Sequence, residues 1–305
     1  MHRTEIPAPF GDENCYSILC RYAVRSGRHS TNRVCRELFG HVGSLKGYLF
    51  KPFRLADIRR WENGKPGKIR YGADHSCWQY FSAFMGYEDA GLLKGCVSGS
   101  VLTPGQEKRI STRGGFSQTH KKQLWYCPEC VREDIRRFGE TCWRRLPQIP
   151  GVSYCTVHQL RLAQSGLKTT ETSYRLCPAT YVLDSFPEPG ECRPGNVFET
   201  EFLQLARDTE WLLQHGFGVG GLEMLREGYR YRTGKRLQEW LLSPAKTGTR
   251  KTFENYLYGR VLKECGTERV DPRTQRFLSM IISIEKDFGS IEAFCAEDAG
   301  MLMEE

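Results

Sequence analysis

Four residues within Tyr126–Leu162 have the types and spacing to grip a metal ion: Cys127 and Cys130, then Cys155 and His158 beyond the intervening segment 131–154. Donors at i and i+3 on a tight turn can point at one centre, and two such pairs complete a tetrahedral Cys3His set. A Cys-x-x-Cys alone also serves redox chemistry; a matching Cys-x-x-His at ribbon-like distance points to zinc. Four protein ligands leave no position for water, so the ion would be structural, contributing on the order of 10 kcal/mol to local folding. Zinc deaminases also use a Pro-Cys-x-x-Cys pair, but they need an upstream His-x-Glu to move the proton. Here His120 is followed by Lys121 and Lys122, and no His-x-Glu occurs anywhere. With no phosphate-binding glycine-lysine loop and no Ser/His/Asp motif, catalysis is not expected.

The surroundings of these ligands are cationic. Lys121, Lys122, Arg132, Arg136, Arg137, Arg144 and Arg145 flank or lie within this metal loop, and a second cluster, Arg226–Trp240, carries Arg230, Arg232, Lys235 and Arg236. Guanidinium groups interleaved with aromatics suit phosphate contact, though either cluster could equally be a solvated face. Net charge is +8, unevenly spread: residues 1–161 hold 26 Lys and Arg against 14 Asp and Glu, and residues 162–305 hold 18 against 22. A front half at +12 beside a back half at −4 is the asymmetry expected when the front half meets a polyanion, and it motivates the expectation of salt-sensitive binding to double-stranded DNA.

The elements that must position these groups read as mainly helical. Residues 12–26 form a helix with Asp12 as candidate N-cap and Gly27 as its stop, and Ser30 or Thr31 opens a second helix ending at Gly40. Two short helices across a glycine-bearing turn have helix-turn-helix character, with Arg28, Arg33 and Arg36 as the exposed arginines. A plain helical hairpin is the competing reading. Loops with a short helix near 54–62 follow, then an aromatic helix over 76–86 read as core and a polar connector over 101–121. Prolines at 178, 187, 189 and 194 suggest an irregular stretch after Leu162. Helices resume over 200–214 and from Thr252 to Gly266. Another is capped by Asp271 with Pro272 at its first position, facing Phe277, Ile281, Ile284 and Phe288 inward, and Ser290 starts a last one. The expected organisation is a helical N-terminal region over 1–120 with the helix pair at 12–40, a Cys3His zinc-ribbon or knuckle module over 121–165, an irregular linker over 166–200, and a helical C-terminal domain over 201–305. Mean hydropathy is −0.52, no run approaches the ~18 apolar residues that span a bilayer, and the start has no apolar signal core. The 13 cysteines then read as free thiols and ligands in a reducing cytoplasm, with no membrane partner.

One combination of residues resembles a known family. Cys127-Pro-x-Cys130 with Asp134, Gly139, Trp143, Arg145 and Pro150, closing in Cys155-x-x-His158-x-x-x-Leu162, is similar to the TniQ/TnsD family of transposon target-selection proteins. The opening Pro7-Ala-Pro9-Phe10-Gly-Asp12-Glu13 with Tyr16 and Arg21, and the Leu38-Phe39-Gly40 ending, fit the same resemblance. It implies a non-catalytic adaptor in DNA transposition. Such an adaptor binds DNA directly or joins a guide-RNA CRISPR effector complex in a CRISPR-associated transposon, and recruits an AAA+ regulator. Carried over by position, Cys127, Cys130, Cys155 and His158 would be the zinc ligands, Pro7, Pro9 and Phe10 a contact for the ATPase, and residues 12–40 the helix-turn-helix region. The setting would be a bacterial cytoplasm, associated with the nucleoid, and a homo-oligomer is among the possible assemblies. Soon after the Cys-x-x-His only isolated Cys177 and Cys192 follow, with no second Cys-x-x-Cys, which leaves one zinc expected. The alternative is a stand-alone zinc-containing, sequence-specific DNA-binding regulator.

Overall fold

The computed structural model describes residues 6–40, 45, 74–98, 102–113, 120–183, 195, 197–216, 221–238 and 253–299. Helix formation follows the apolar periodicity. Helix α1 (Cys15–Arg25) buries Tyr16, Ile18, Leu19 and Tyr22, and α2 (Thr31–Phe39) buries Val34, Cys35 and Phe39. The cap of α1 differs from expectation. Asn14 takes the N-cap and accepts the Ser17 N–H at 2.8 Å, whereas Asp12 turns away to accept from Arg145 Nε and the Leu146 N–H. A carboxylate gains more from a guanidinium than from one backbone amide, so the distant partner wins. Helix α2 ends at Gly40, in the left-handed region at φ 79°.

The aromatic segment forms α3 (Trp78–Ser82), and Tyr80, Phe81 and Phe84 are core residues packed against Phe277. Helix α4 (Tyr87–Ser98) follows. The segment read as a connector contains a further helix, α5 (Pro104–Arg113), started by Thr103 and Gln106 bonding to each other's donors. The helix expected near 54–62 lies outside the described residues, as does Thr252.

Strand β1 (Gln123–Tyr126) leads into α6 (Pro128–Phe138), and β2 (Ala163–Lys168) returns antiparallel to β1. Gln123 pairs with Lys168, Trp125 with Gln164 and Tyr126 with Ala163. The chain after Leu162 is thus a strand for its first six residues, not loose from the start. It continues through a 3-10 turn (Glu171–Ser173) and α7 (Ala179–Val182). Alternation was hidden there because the ribbon's outer face is polar and Gly166 interrupts it. Helices α8 (Val197–Gln214), α9 (Gly221–Thr233), α10 (Phe253–Cys265), α11 (Pro272–Phe288) and α12 (Ile291–Ala299) complete the fold. Asp271 caps α11 as expected, accepting from the N–H groups of Arg273 and Thr274.

One buried cluster runs through all of these α-helices and both strands, from Cys15 to Phe294. Two glycines permit the tightest approaches. A Cβ on Gly221 would lie 2.5 Å from the Ser82 carbonyl oxygen, so α9 can start hard against the end of α3 only without a side chain. Gly151, at φ +89°, sits where a Cβ would meet Leu278 at 3.1 Å, Leu257 at 3.4 Å and Leu205 at 3.5 Å. The Pro150-Gly151 turn of the metal loop is therefore seated among three C-terminal helices.

Candidate metal centre and its cationic surround

Strand β1 delivers Cys127 to the N-cap of α6, and Pro128 at the first helical position fixes φ for the turn that follows. Cys130, in that first turn, comes round to the same side. The second pair sits on a turn closed by Cys155 N–H to Leu160 O at 2.8 Å and Gln159 N–H to Cys155 O at 2.9 Å. Among the described residues Gln159 is the non-glycine residue with positive φ, at 56°. The His158 N–H points at Cys155 Sγ, 3.4 Å away.

The four donors converge, all within 4.8 Å of one another. Cys130 Sγ lies 3.7 Å from Cys155 Sγ, and His158 Nδ1 lies 3.6, 3.3 and 3.7 Å from the sulfurs of Cys127, Cys130 and Cys155. A disulfide needs sulfurs ~2.05 Å apart. A tetrahedron of ligands ~2.3 Å from its centre has edges of about 3.8 Å, which is the spacing seen. The three cysteines are buried and His158 is half-buried. Contact with the Cys127 and Cys130 sulfurs holds the Cys155 thiol low, while contact with Cys127 and Cys155 pushes Cys130 far up. Three sulfurs so close compete for protons, and a dication would relieve this by taking all three as thiolates. The residues present therefore fit a bound divalent ion of zinc's size and softness. Glu133, one turn after Cys130 on α6, sets Oε1 3.5 Å from His158 Nε2, the far nitrogen of the ligand ring. Sequence reading missed Glu133, although its spacing from Cys130 on a helix carried the signal.

The cations sort by burial. Lys121 and Arg145 are interior, so the expectation that these two touch nucleic acid is corrected, and Arg144 is half-buried. Lys121 is fully buried, donating to Val152 O and lying 3.7 Å from Glu264. Arg145 is buried against Asp12 and the Ser76 carbonyl. Arg144 holds Asp134 through both guanidinium nitrogens, at 2.7 and 2.9 Å. Each neutralises a carboxylate or carbonyl that folding has taken out of water, a demand invisible in composition. Arg132 is half-buried on Glu129, and Arg232 donates to the Phe294 carbonyl with its guanidinium over that ring. Lys122, Arg33, Arg36, Arg136, Arg137, Arg230, Lys235 and Arg236 are exposed, Lys235 facing Asp287 at 3.4 Å.

The proline-rich arm lies along α1 and α6. Pro7 is buried; Pro9 and Phe10 line a groove of about 590 Å³ with Arg21, Arg25, Arg137 and Phe138. Phe10 meets the edge of Phe138 at 5.1 Å, and the Arg21 guanidinium sits 4.4 Å over the Phe10 ring. Arg21 is pinned between the buried carboxylate of Glu13 at 2.6 Å and that of Glu140 at 2.7 Å.

Sequence comparison places these features in a known context. The family model described as TniQ matches residues 6–162. Over 160 residues the chain is 25% identical to the Transposon Tn7 transposition protein TnsD of Escherichia coli, an alignment that covers 50% of this chain and 30% of that protein. Among the described residues no helix is long and apolar enough to cross a membrane.

Proposed function

The chain belongs to the TniQ family, and we propose that it selects target sites for DNA transposition as a non-catalytic adaptor. One face engages double-stranded DNA or a guide-RNA CRISPR effector complex, and another recruits an AAA+ transposition regulator. The observation that carries this reading is the converged Cys127, Cys130, Cys155 and His158 set, with exposed Arg136 and Arg137 on the helix it anchors. When bound, zinc would supply only geometry: it fixes β1, the start of α6 and the Cys155–His158 turn to one point. The protein's own groups do the rest. The arm at Pro9 and Phe10, held down by Arg21, offers the regulator a pre-ordered edge, and α1 and α2 serve as the helix-turn-helix pair with Arg33 and Arg36 outward.

Supporting the adaptor role, the relative is named as a transposition protein, and all four donors are turned to one another, leaving none facing a substrate. The test is reconstitution of the chain with an AAA+ regulator on duplex DNA, with and without a guide-RNA complex. Association of the regulator that depends on this chain, reduced by Phe10→Ala, is the expected result. Failure of the regulator to associate on any DNA would favour a stand-alone DNA-binding regulator instead.

A further inference from the structure

Near the metal loop Lys121, Arg132, Arg144 and Arg145 are committed to carboxylates, but four cations at one seam are not. Lys122 stands just before β1, where its N–H donates to Glu264 O at 2.8 Å and its carbonyl accepts the Thr169 N–H at 3.0 Å. Its side chain lies over the turn at Gly266, whose Cβ, if present, would be 2.8 Å from Lys122 Cδ. Lys168 ends β2 opposite Gln123. Lys263 belongs to the last turn of α10, and Arg269 follows in the turn beyond Gly266. All four are exposed, and none has a carboxylate partner among the described residues.

The ground beneath them is also positive. Buried Lys121 and half-buried Arg260 share the single carboxylate of Glu264, with Arg260 Nε 3.2 Å from Oε1. Within segments 120–123, 166–170 and 262–270 the one exposed acid is Glu268. A patch of this charge held on three adjoining segments is the footprint of a polyanion. Those segments carry no exposed aromatic ring. Unpaired bases would have nothing to stack on, which favours the phosphate rows of a duplex over a single strand.

Building on the reading that the chain meets DNA, we propose that Lys122, Lys168, Lys263 and Arg269 form a phosphate-contact ridge for duplex DNA. The ridge straddles the border of the family match: Lys122 lies inside residues 6–162 and the other three outside. Duplex engagement then needs the ribbon and the C-terminal helices docked together.

The experiment measures binding of the full chain to a labelled duplex as a function of NaCl concentration. Combined neutralisation, Lys122→Gln, Lys168→Gln, Lys263→Gln and Arg269→Gln, should flatten the log-log salt slope by about 3.6, since each phosphate contact contributes ~0.9. Keeping charge with Lys122→Arg, Lys168→Arg and Lys263→Arg should restore it, and Lys94→Gln with Lys108→Gln on α4 and α5 should leave it unchanged. The pair Lys168→Gln and Lys263→Gln, whose side chains have no ion pairs among the described residues, gives a fold-neutral arm with an expected flattening of about 1.8. A wild-type chain that binds duplex with a slope these variants do not alter would overturn the ridge while leaving the adaptor reading intact. A wild-type chain that binds no duplex would overturn DNA contact itself. Equal loss of binding to duplex and to a single strand of the same sequence would overturn the assignment to duplex.

Discussion

The metal loop is fastened at two ends by different physics. At one end Cys127, Cys130, Cys155 and His158 meet at a point, and their distances are those an ion would impose. At the other, the turn at Pro150-Gly151 is fastened to α10 by a carboxylate. Glu264 accepts the Gly151 N–H at 2.9 Å and the Ser153 hydroxyl at 3.0 Å while facing Lys121 and Arg260. The first fastening uses residue types with few other uses at a regular spacing. The second uses a glutamate like any other, more than a hundred positions away in the chain. Chemistry that is local in sequence announces itself; chemistry that is local only in space does not.

Substitutions can break each fastening separately. The largest effect is expected at the ligands. Cys127→Ser should abolish stoichiometric metal and unfold residues 120–165, a loss on the order of 10 kcal/mol. Cys177→Ser, at a buried cysteine outside the cluster, should keep the metal; elemental analysis and amide exchange read both. Equal metal loss from both variants would show that the ligand assignment is wrong.

Next comes the carboxylate. Glu264→Gln leaves Lys121 buried without its counter-charge and should cost about 3–5 kcal/mol in denaturant unfolding. Adding Lys121→Met should recover most of it. Additive costs in the double variant would show that the two ends do not share this pair.

The same lysine sets a pH dependence. Burial, partly offset by Glu264, lowers the Lys121 ammonium to about 8. Between that value and the ordinary ~10.5 the unfolded chain binds the extra proton, so this group makes stability rise with pH across that window. Lys121→Met should remove that increment from unfolding free energies measured between pH 8 and 10.5; an unchanged slope would contradict it.

The smallest effect sharpens the metal end. Gln159 holds a left-handed conformation that glycine adopts freely, so Gln159→Gly should raise stability by about 1 kcal/mol or less. A lower melting temperature would mean the glutamine side chain has a contact worth more than the strain.

Much of the helical content was legible because apolar spacing and caps are short-range signals; Asp271 with Pro272 is the clearest case. The ligands were legible for the same reason. The rest depended on competition between distant groups. Asp12 has the chemistry of an N-cap, yet Arg145 outbids the α1 amides and Asn14 takes the role. Arg144 looked free until Asp134 closed on it from α6. Strand β2 has little apolar alternation of its own and exists because β1 presents an edge to pair with. The unpaired Lys168, Lys263 and Arg269 drew no attention in sequence, since only folding sets them beside Lys122.

The seat of Gly151 among Leu205, Leu257 and Leu278 has one more consequence. The unit that comparison recognises ends at residue 162, but the unit that water recognises does not. Severed there, the loop would present a bare backbone hump and an orphaned ammonium to solvent, with its socket left behind on the other piece. A protein keeping only the leading portion would have to bring its own cover for that spot.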